Sequence, residues 1–402
     1  MNGWKTVRLS EFCRTGTGGT PSRSNLERYY EGGTIPWVKS GELRESVINE
    51  TEEHVTEAAL QETNVKLVPA GALLLAMYGA TVGRLGILGV EATTNQAVCH
   101  IVPDPKAAEV RFLFHALSNQ AANLVARGVG GAQPNISQGI IKDLELALPP
   151  LVEQRRIAEM LDKAEALRAK RRAALAQLDT LTQSIFLDMF GDPRANDKGW
   201  KKVPIESLIS DMRGGAALEP EDFVESGFPI LHKGAIKPLG EISLDAKKKT
   251  FSTVDYANAH HRSVVNQEFL AVTLRDLVPA GPSIGLVVNL RNGPYDKYLL
   301  AQGAYAFRVD LRSTVPEYLV YLSNMPTFRH VLRQNAVGST QIHIRTPVYL
   351  AISIPLPPVE LQRKFARRAE VVEKLRARQH ASLAELDSLF TSLQSRAFNG
   401  EL

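Results

Sequence analysis

Cysteine is almost missing from this chain: Cys13 and Cys99 are the only two in 402 residues, and neither belongs to a CxxC pair. That scarcity excludes a disulfide-framed secreted domain and a thiolate zinc site, and it points to a reducing, intracellular compartment with both thiols inert. Long apolar runs are lacking as well. The longest, around VPAGALLLAMYG, falls far short of the roughly 20 residues of a membrane-spanning helix. The opening MNGWKTVRLSEF lacks the basic-then-apolar pattern of a secretion signal, so a soluble, cytoplasmic protein without a membrane partner is expected. Charge of one sign is not in excess either. A formal net charge of +4 permits nucleic-acid binding without arguing for it.

Catalytic signatures are also missing. No GxxxxGK[ST] phosphate loop occurs, which argues against ATP-driven translocation by this chain. Arg14-Thr15-Gly16-Thr17-Gly18-Gly19 is glycine-rich, but no strong apolar strand precedes it and no convincing helix follows, so it reads as a turn. His232, His260, His261 and His343 lack zinc-site spacing, and His260-His261 reads as a solvated pair. The acidic run Glu50-Thr51-Glu52-Glu53 reads as an exposed face. Nothing pairs a nucleophile with a base. The chain is expected to bind rather than to catalyse, with no metal and no cofactor of its own.

What is present is a repeat. LPPLVEQRRIAEMLDKAEALRAKRRAALAQLDTLTQSIF begins at Leu148, and LPPVELQRKFARRAEVVEKLRARQHASLAELDSLFTSLQ begins at Leu356, without a gap at an offset of 208 residues. Repetition on this scale sets the architecture before any local reading does. Each copy starts at a Pro-Pro pair, where missing N–H groups cost a helix nothing, and ends at glycine (Gly191 and Gly400). Apolar residues fall at Ile157, Leu161, Leu167, Leu175 and Leu178 in the first copy. In the second they fall at Phe365, Val372, Leu375, Leu383 and Leu386. These three- and four-residue steps predict a seam between two helices, interrupted in the first copy by Arg168, Lys170, Arg171 and Arg172. About 40 residues make a rod roughly 60 Å long. The expected organisation is a first head over 1–147, a long helix over 148–192, a second head over 193–355 and a second long helix over 356–402. Short β-branched runs broken by glycine and proline, with one or two helices per head, make each head α+β.

The heads correspond at landmarks: WKTVRLSEF with WKKVPIESL, IPWVKSGEL with FPILHKGAI, and GVGGAQPNIS with AVGSTQIHIR. Between them MYGATVGRLGILG finds no clear partner in AVTLRDLVPAGPSIGLVV. Several loops collect residues suited to nucleic acid. The first head offers Arg14, Thr17, Thr20 and Arg23, then Lys39 and Ser40, then Tyr78, Thr81 and Arg84, and finally Gln133 and Asn135. The second offers Arg213, Lys233, Arg275, Gln341, His343 and Arg345, with the basic run Lys247-Lys248-Lys249. Arginines and amides make paired hydrogen bonds to base edges, while lysines and hydroxyls hold phosphates.

GGTPSR, IPWVKSGEL, TNQAV, GAQPNIS and the duplicated LPPLVEQRRIAEMLD element together resemble the specificity subunits of Type I restriction–modification systems. The resemblance covers essentially the whole chain; the second half departs from it with FPILHKGAI and LPPVELQRKF. It implies two target-recognition domains, each reading one half of a bipartite, asymmetric site in double-stranded DNA. It implies two antiparallel helices in a coiled coil with a pseudo-two-fold repeat, setting the spacer and docking two modification subunits. Restriction (motor-nuclease) subunits would then join. S-adenosylmethionine, ATP and magnesium would belong to those partners. A coiled-coil scaffold whose heads bind proteins, an unfamiliar nuclease or methyltransferase, and a system that only methylates are the alternatives.

Overall fold

The computed structural model describes residues 4–44, 47–128, 135–244, 250–276 and 281–402. It divides into two compact units, Met1–Arg172 with Ala381–Leu402, and Ala173–His380. Each unit holds one head, and the division falls inside both long helices, Leu151–Phe190 and Val359–Phe398. Among the described residues no helix is long and apolar enough to cross a membrane.

In the first unit five strands lie in the order Cys13–Thr17, Val98–Pro103, Leu73–Ala76, Leu85–Leu88, Val47–Ile48. The central Leu73–Ala76 strand reads LLLA and is buried throughout, as expected for a strand covered on both faces. Leu73 and Leu75 pack with Ile101, Leu113 and Phe114 on one face, and Leu74 and Ala76 with Val38, Leu88 and Val98 on the other. A smaller sheet orders Glu53–Val55, Ile35–Val38 and Thr93–Thr94. Lys5–Arg8 pairs antiparallel with Glu145–Leu148 and closes the head where the first long helix begins.

The second unit repeats this plan. Its main sheet runs Ile209–Gly214, Ala304–Val309, Phe269–Thr273, Val287–Asn289, and its smaller sheet orders Phe251–Ser252, Phe228–Leu231, Lys297–Leu300 and Val264–Asn266. Lys202–Pro204 with Ser353–Pro355 closes the head. The parallel pairing of Trp37 with Thr93 and Val38 with Thr94 recurs as Ile230 with Leu299 and Leu231 with Leu300. The segment MYGATVGRLGILG, unmatched in sequence, therefore has a partner. Leu73–Ala76 and Leu85–Leu88 correspond to Phe269–Thr273 and Val287–Asn289, and only the connection between them differs. The glycine-rich turn also has a geometric cause. A Cβ on Gly18 would lie 2.0 Å from the Thr94 carbonyl oxygen, and one on Gly215 would lie 2.0 Å from that of Ala301. Only glycine allows the backbone that close in either head.

The long helices pack antiparallel within each unit. In the first, Ile157, Ala158 and Leu161 bury against Ala397, and Arg168 bonds Asp387 at 2.6 Å further along. In the second, Phe186 meets Phe365 with ring centroids 5.5 Å apart, and Arg376 reaches Asp179 at 3.3 Å. Ile157, Leu161, Leu175, Phe365 and Val372 are buried, and Leu178, Leu383 and Leu386 are half-buried. Leu167 and Leu375 contradict the expected seam: they are 53% and 41% exposed. The residues that turn inward are their neighbours Arg168 and Arg376, each with only 17% of its side chain exposed. The basic interruption is thus part of the seam, because a guanidinium can bridge to an aspartate on the facing helix and lay its stem along apolar surface.

Each head is fastened to its helix by a buried glutamine. Gln154 donates to the carbonyls of Pro149 (2.8 Å) and Ala107 (2.9 Å) and accepts from the Glu109 amide (2.8 Å). Gln362, 208 positions on, donates to the carbonyl of Pro357 (2.8 Å) and accepts from the Val315 amide (3.1 Å) and the Thr314 hydroxyl (2.8 Å).

Candidate nucleic-acid interface

In the first head the Gly18-Gly19 corner carries Thr20 to Gln96, whose amide oxygen accepts from the threonine hydroxyl. The Gly19 carbonyl accepts from the Trp37 indole N–H at 3.0 Å, which pins the corner to the smaller sheet. Thr20, Ser22, Asn25, Asn64 and Gln96 line a polar depression of about 500 Å³ there. Thr94 Oγ1 and Asn95 Oδ1 lie buried beside it without a hydrogen-bond partner. Gln138 donates to Thr15 at 3.0 Å, tying the strand that bears Arg14 and Thr17 to the segment after Asn135.

Two expected DNA-contacting cations of this head are occupied internally. Arg23 lies 4.3 Å from the Tyr30 ring centroid and 2.7 Å from Glu53. Lys39 bonds both Glu52 and Glu53 at 2.9 Å. Burial alone would raise the Glu53 carboxyl, but the bonds to Lys39 and Arg23 hold it below its ordinary value. Glu50 and Glu52 of the acidic run are exposed as expected, whereas Glu53 stands half-buried on a strand as the counter-charge of Arg23 and Lys39. Ser40 opens the short turn Ser40–Glu42 after Lys39. Arg14 and Arg84 are exposed, without an ion pair among the described residues, and Tyr78 and Thr81 are half-buried on either side of the Gly79 turn. Gln133 lies outside the described residues, as do Lys247 to Lys249 of the second head.

The second head sorts its candidates differently. Arg213 is structural: it bonds Asp211 at 2.7 Å and the Val264 carbonyl at 2.9 Å, and lies 4.8 Å from the Phe269 ring centroid. By contrast Arg275 and His343 face each other in an antiparallel two-strand pair. Lys233 stands close enough to Arg275 and Asp276 to feel both charges, and burial lowers its ammonium pKa. Gln341 and Arg345 flank the same short strand, with Arg345 at the start of the Thr346–Ala351 helix. Five residues from three distant stretches of sequence thus gather at one loop cluster.

The two clusters occupy equivalent places. In the first head Met77 donates to the Ala97 carbonyl (2.8 Å) and accepts from the Ile136 amide (2.7 Å); in the second Leu274 donates to Gly303 (3.2 Å) and accepts from Ile344 (2.9 Å). Tyr78 and Asn135 therefore stand where Arg275 and His343 stand. The same pairing aligns Gln96 with Gln302, a match hidden in sequence because TNQAV and LAQGA share only the central glutamine. Both thiols are far from these clusters in chemistry: burial pushes Cys13 and Cys99 up to about 12.

Residues 1–177 match the Type I restriction modification DNA specificity domain. The Type I restriction enzyme MjaVIII specificity subunit of Methanocaldococcus jannaschii is 23% identical over 388 residues, covering 92% of this chain and 86% of the relative. The family match takes in the first head and the start of the first long helix, under half of the chain. The EcoKI specificity subunit of Escherichia coli K12 is 21% identical, across 100% of this chain and 89% of its own length. The Type I S subunit from M. genitalium shares the fold at a TM-score of 0.57 and 14% identity, covering 99% of this chain and 97% of that one. A chain solved in work on complex assembly and conformational transition of the type I R-M system shares it at 0.60 and 20%, covering 100% and 99%.

Proposed function

We propose that this chain is a Type I specificity subunit that reads a bipartite, asymmetric DNA site, one half per head, and that the helix pair sets the unread spacer and docks two modification subunits, through which restriction subunits join. The observation that carries this reading is the pairing of a repeated frame with unlike clusters: Tyr78 and Asn135 in one head, Arg275 and His343 in the other. A duplicated scaffold with identical readers would suit a symmetric site; unlike readers suit two different half-sites. Arginine is the residue best shaped to read guanine O6 and N7, so Arg275 is assigned a base contact, and Lys233 and Arg345 phosphate contacts. Each helix of 40 residues spans about 60 Å. Half-sites on one face of a duplex lie about 34–36 Å apart or a multiple of that, a separation such a rod accommodates.

The chain itself supplies no chemistry under this reading. S-adenosylmethionine, ATP and magnesium would be held by the partner subunits. Exchanging residues 1–147 for the first head of a relative tests the assignment, with the methylated motif read by methylome sequencing in a host that carries the partner subunits. One half-site should change and the other should stay. A change in both would refute separable heads.

A further inference from the structure

The head-to-helix junctions of the two units are built from equivalent positions, yet one is filled and the other is open. In the first unit Arg111 crosses from the Val110–Ala126 helix to Asp162 on the long helix, with Nε 2.9 Å from the carboxylate. Its guanidinium lies 5.2 Å from the Phe114 ring centroid, and His115 Nε2 meets the same aspartate at 2.7 Å. The buried glutamines fix the correspondence, because Gln154 accepts from Glu109 and Gln362 from Val315, the residues just before each head helix. Arg111, Phe114, His115 and Asp162 therefore match Glu317, Val320, Tyr321 and Glu370.

In the second unit that substitution leaves a cleft of about 650 Å³, bordered by Glu317, Glu370, Val320, Tyr321, Leu239 and Ile242. Two carboxylates stand where the first unit has an arginine and an aspartate. Glu370 is met by Lys374 at 2.6 Å, whereas Glu317, half-buried, has no ion pair among the described residues. One wall is strained. Leu239 takes a left-handed φ of 59° and is held by the Asn324 side-chain oxygen, which accepts its N–H at 2.7 Å. A non-glycine residue persists there only because its surroundings hold it. Arg367, Lys374 and Arg376 also line the cleft, and of its four carboxylates Glu317 alone has no ion pair among the described residues.

We propose that this cleft receives a basic side chain, flanked by a large apolar one, from a modification subunit, which makes the second unit the tighter of two docking sites. The proposal rests on the reading that modification subunits bind the helix pair. Charge complementarity selects the occupant: a guanidinium entering between Glu317 and Glu370 would make the charge-assisted bonds that Arg111 makes in the first unit. The first unit has that position filled from within its own chain, so its partner must dock without the contact.

Titration of the full-length chain with purified modification subunit, followed by native mass spectrometry and calorimetry, tests this. The native chain should bind two copies in steps at least about tenfold apart. Glu317→Arg with Val320→Phe, which fills the cleft as the first unit fills its own, should remove the tighter step and raise the melting temperature. Glu317→Gln, which leaves the packing alone, should weaken the tighter step several-fold at an unchanged melting temperature, and it decides the matter if the double variant does not fold. Two steps unchanged in both variants would overturn the cleft assignment while leaving helix docking intact. Loss of restriction-subunit joining alone would also overturn it. A native chain that bound no modification subunit would defeat the docking reading itself.

Discussion

Among the described residues two candidate cations of the first head are paired internally, whereas three of the second are not. Arg23 and Lys39 converge on Glu53 in the first head, whereas Arg275, Lys233 and Arg345 gather in the second with no acidic side chain bonded to them among the described residues. The opposite holds at the junctions, where Arg111 fills the first and Glu317 leaves the second open. Beneath these differences the strand order, the glutamine fastening and the arginine–aspartate bridges repeat. The comparison teaches where duplication was held fixed and where it was free to diverge: the frame is common, and the loop clusters and junction linings are individual.

The comparison breaks most visibly if the common frame is not common. Replacing Gln154 or Gln362 by alanine strips partners from buried amide and carbonyl groups, and each loss should destabilise its unit by about 3 kcal/mol. Urea unfolding checks this, and equal costs in the two units are expected. A cost confined to one would show that the fastenings are not equivalent. Next, Arg275→Ala should weaken specific DNA binding by about 2 kcal/mol and relax one base position, and Lys233→Ala should reduce the salt slope by about one. Lys39→Ala should leave the salt slope nearly unchanged, because its charge is already spent on Glu52 and Glu53. Binding isotherms across a salt series separate the two outcomes.

Arg168→Ala and Arg376→Ala should each cost about 1 kcal/mol, since both aspartate partners are nearly half exposed and solvent screens the bridges. The smallest effect concerns pH. Burial holds His115 below its ordinary 6.5 despite the neighbouring Asp162. Burial would raise the Asp162 carboxyl, but Arg111 and His115 hold it below its usual range. Both folded-state values lie under their unfolded ones, so stability is present at neutral pH. It is lost as pH falls, first below about 6.5 for the histidine and then through the carboxylate range. Amide protection factors in Val110–Ala126, which correct for the intrinsic pH dependence of exchange, should fall between pH 7 and 5. The equivalent Pro316–Asn324 helix, which carries Tyr321 in place of the histidine, should not follow.

Much of the frame was legible because it repeats. The Pro-Pro starts, the glycine ends and the 208-residue offset placed both long helices, and short β-branched runs broken by glycine and proline marked the heads as α+β. The seam was misread at Leu167 and Leu375 because hydropathy ranks leucine above arginine, whereas packing rewards a long stem with a partner across the gap. The equivalence of the Leu73–Ala76 and Phe269–Thr273 strands was hidden by the loops after them, which differ in length and carry the individual residues. The gathering of Lys233, Arg275 and His343 was likewise beyond sequence spacing, since it depends on a strand pair joining residues almost 70 positions apart. The glutamine fastening had a signal that went unused: Gln154 and Gln362 are identical at the repeat offset, in helices otherwise expected to expose polar residues.

The central claim is that the heads choose bases and the helices choose distance. Inserting four residues at Ala173, where the two units divide, lengthens the first long helix by about 6 Å and rotates its downstream half by a little over one turn. Methylome sequencing of a host carrying that variant with its partner subunits should show both half-sites unchanged and a longer spacer between them. Altered half-site bases at an unchanged spacer would contradict the account.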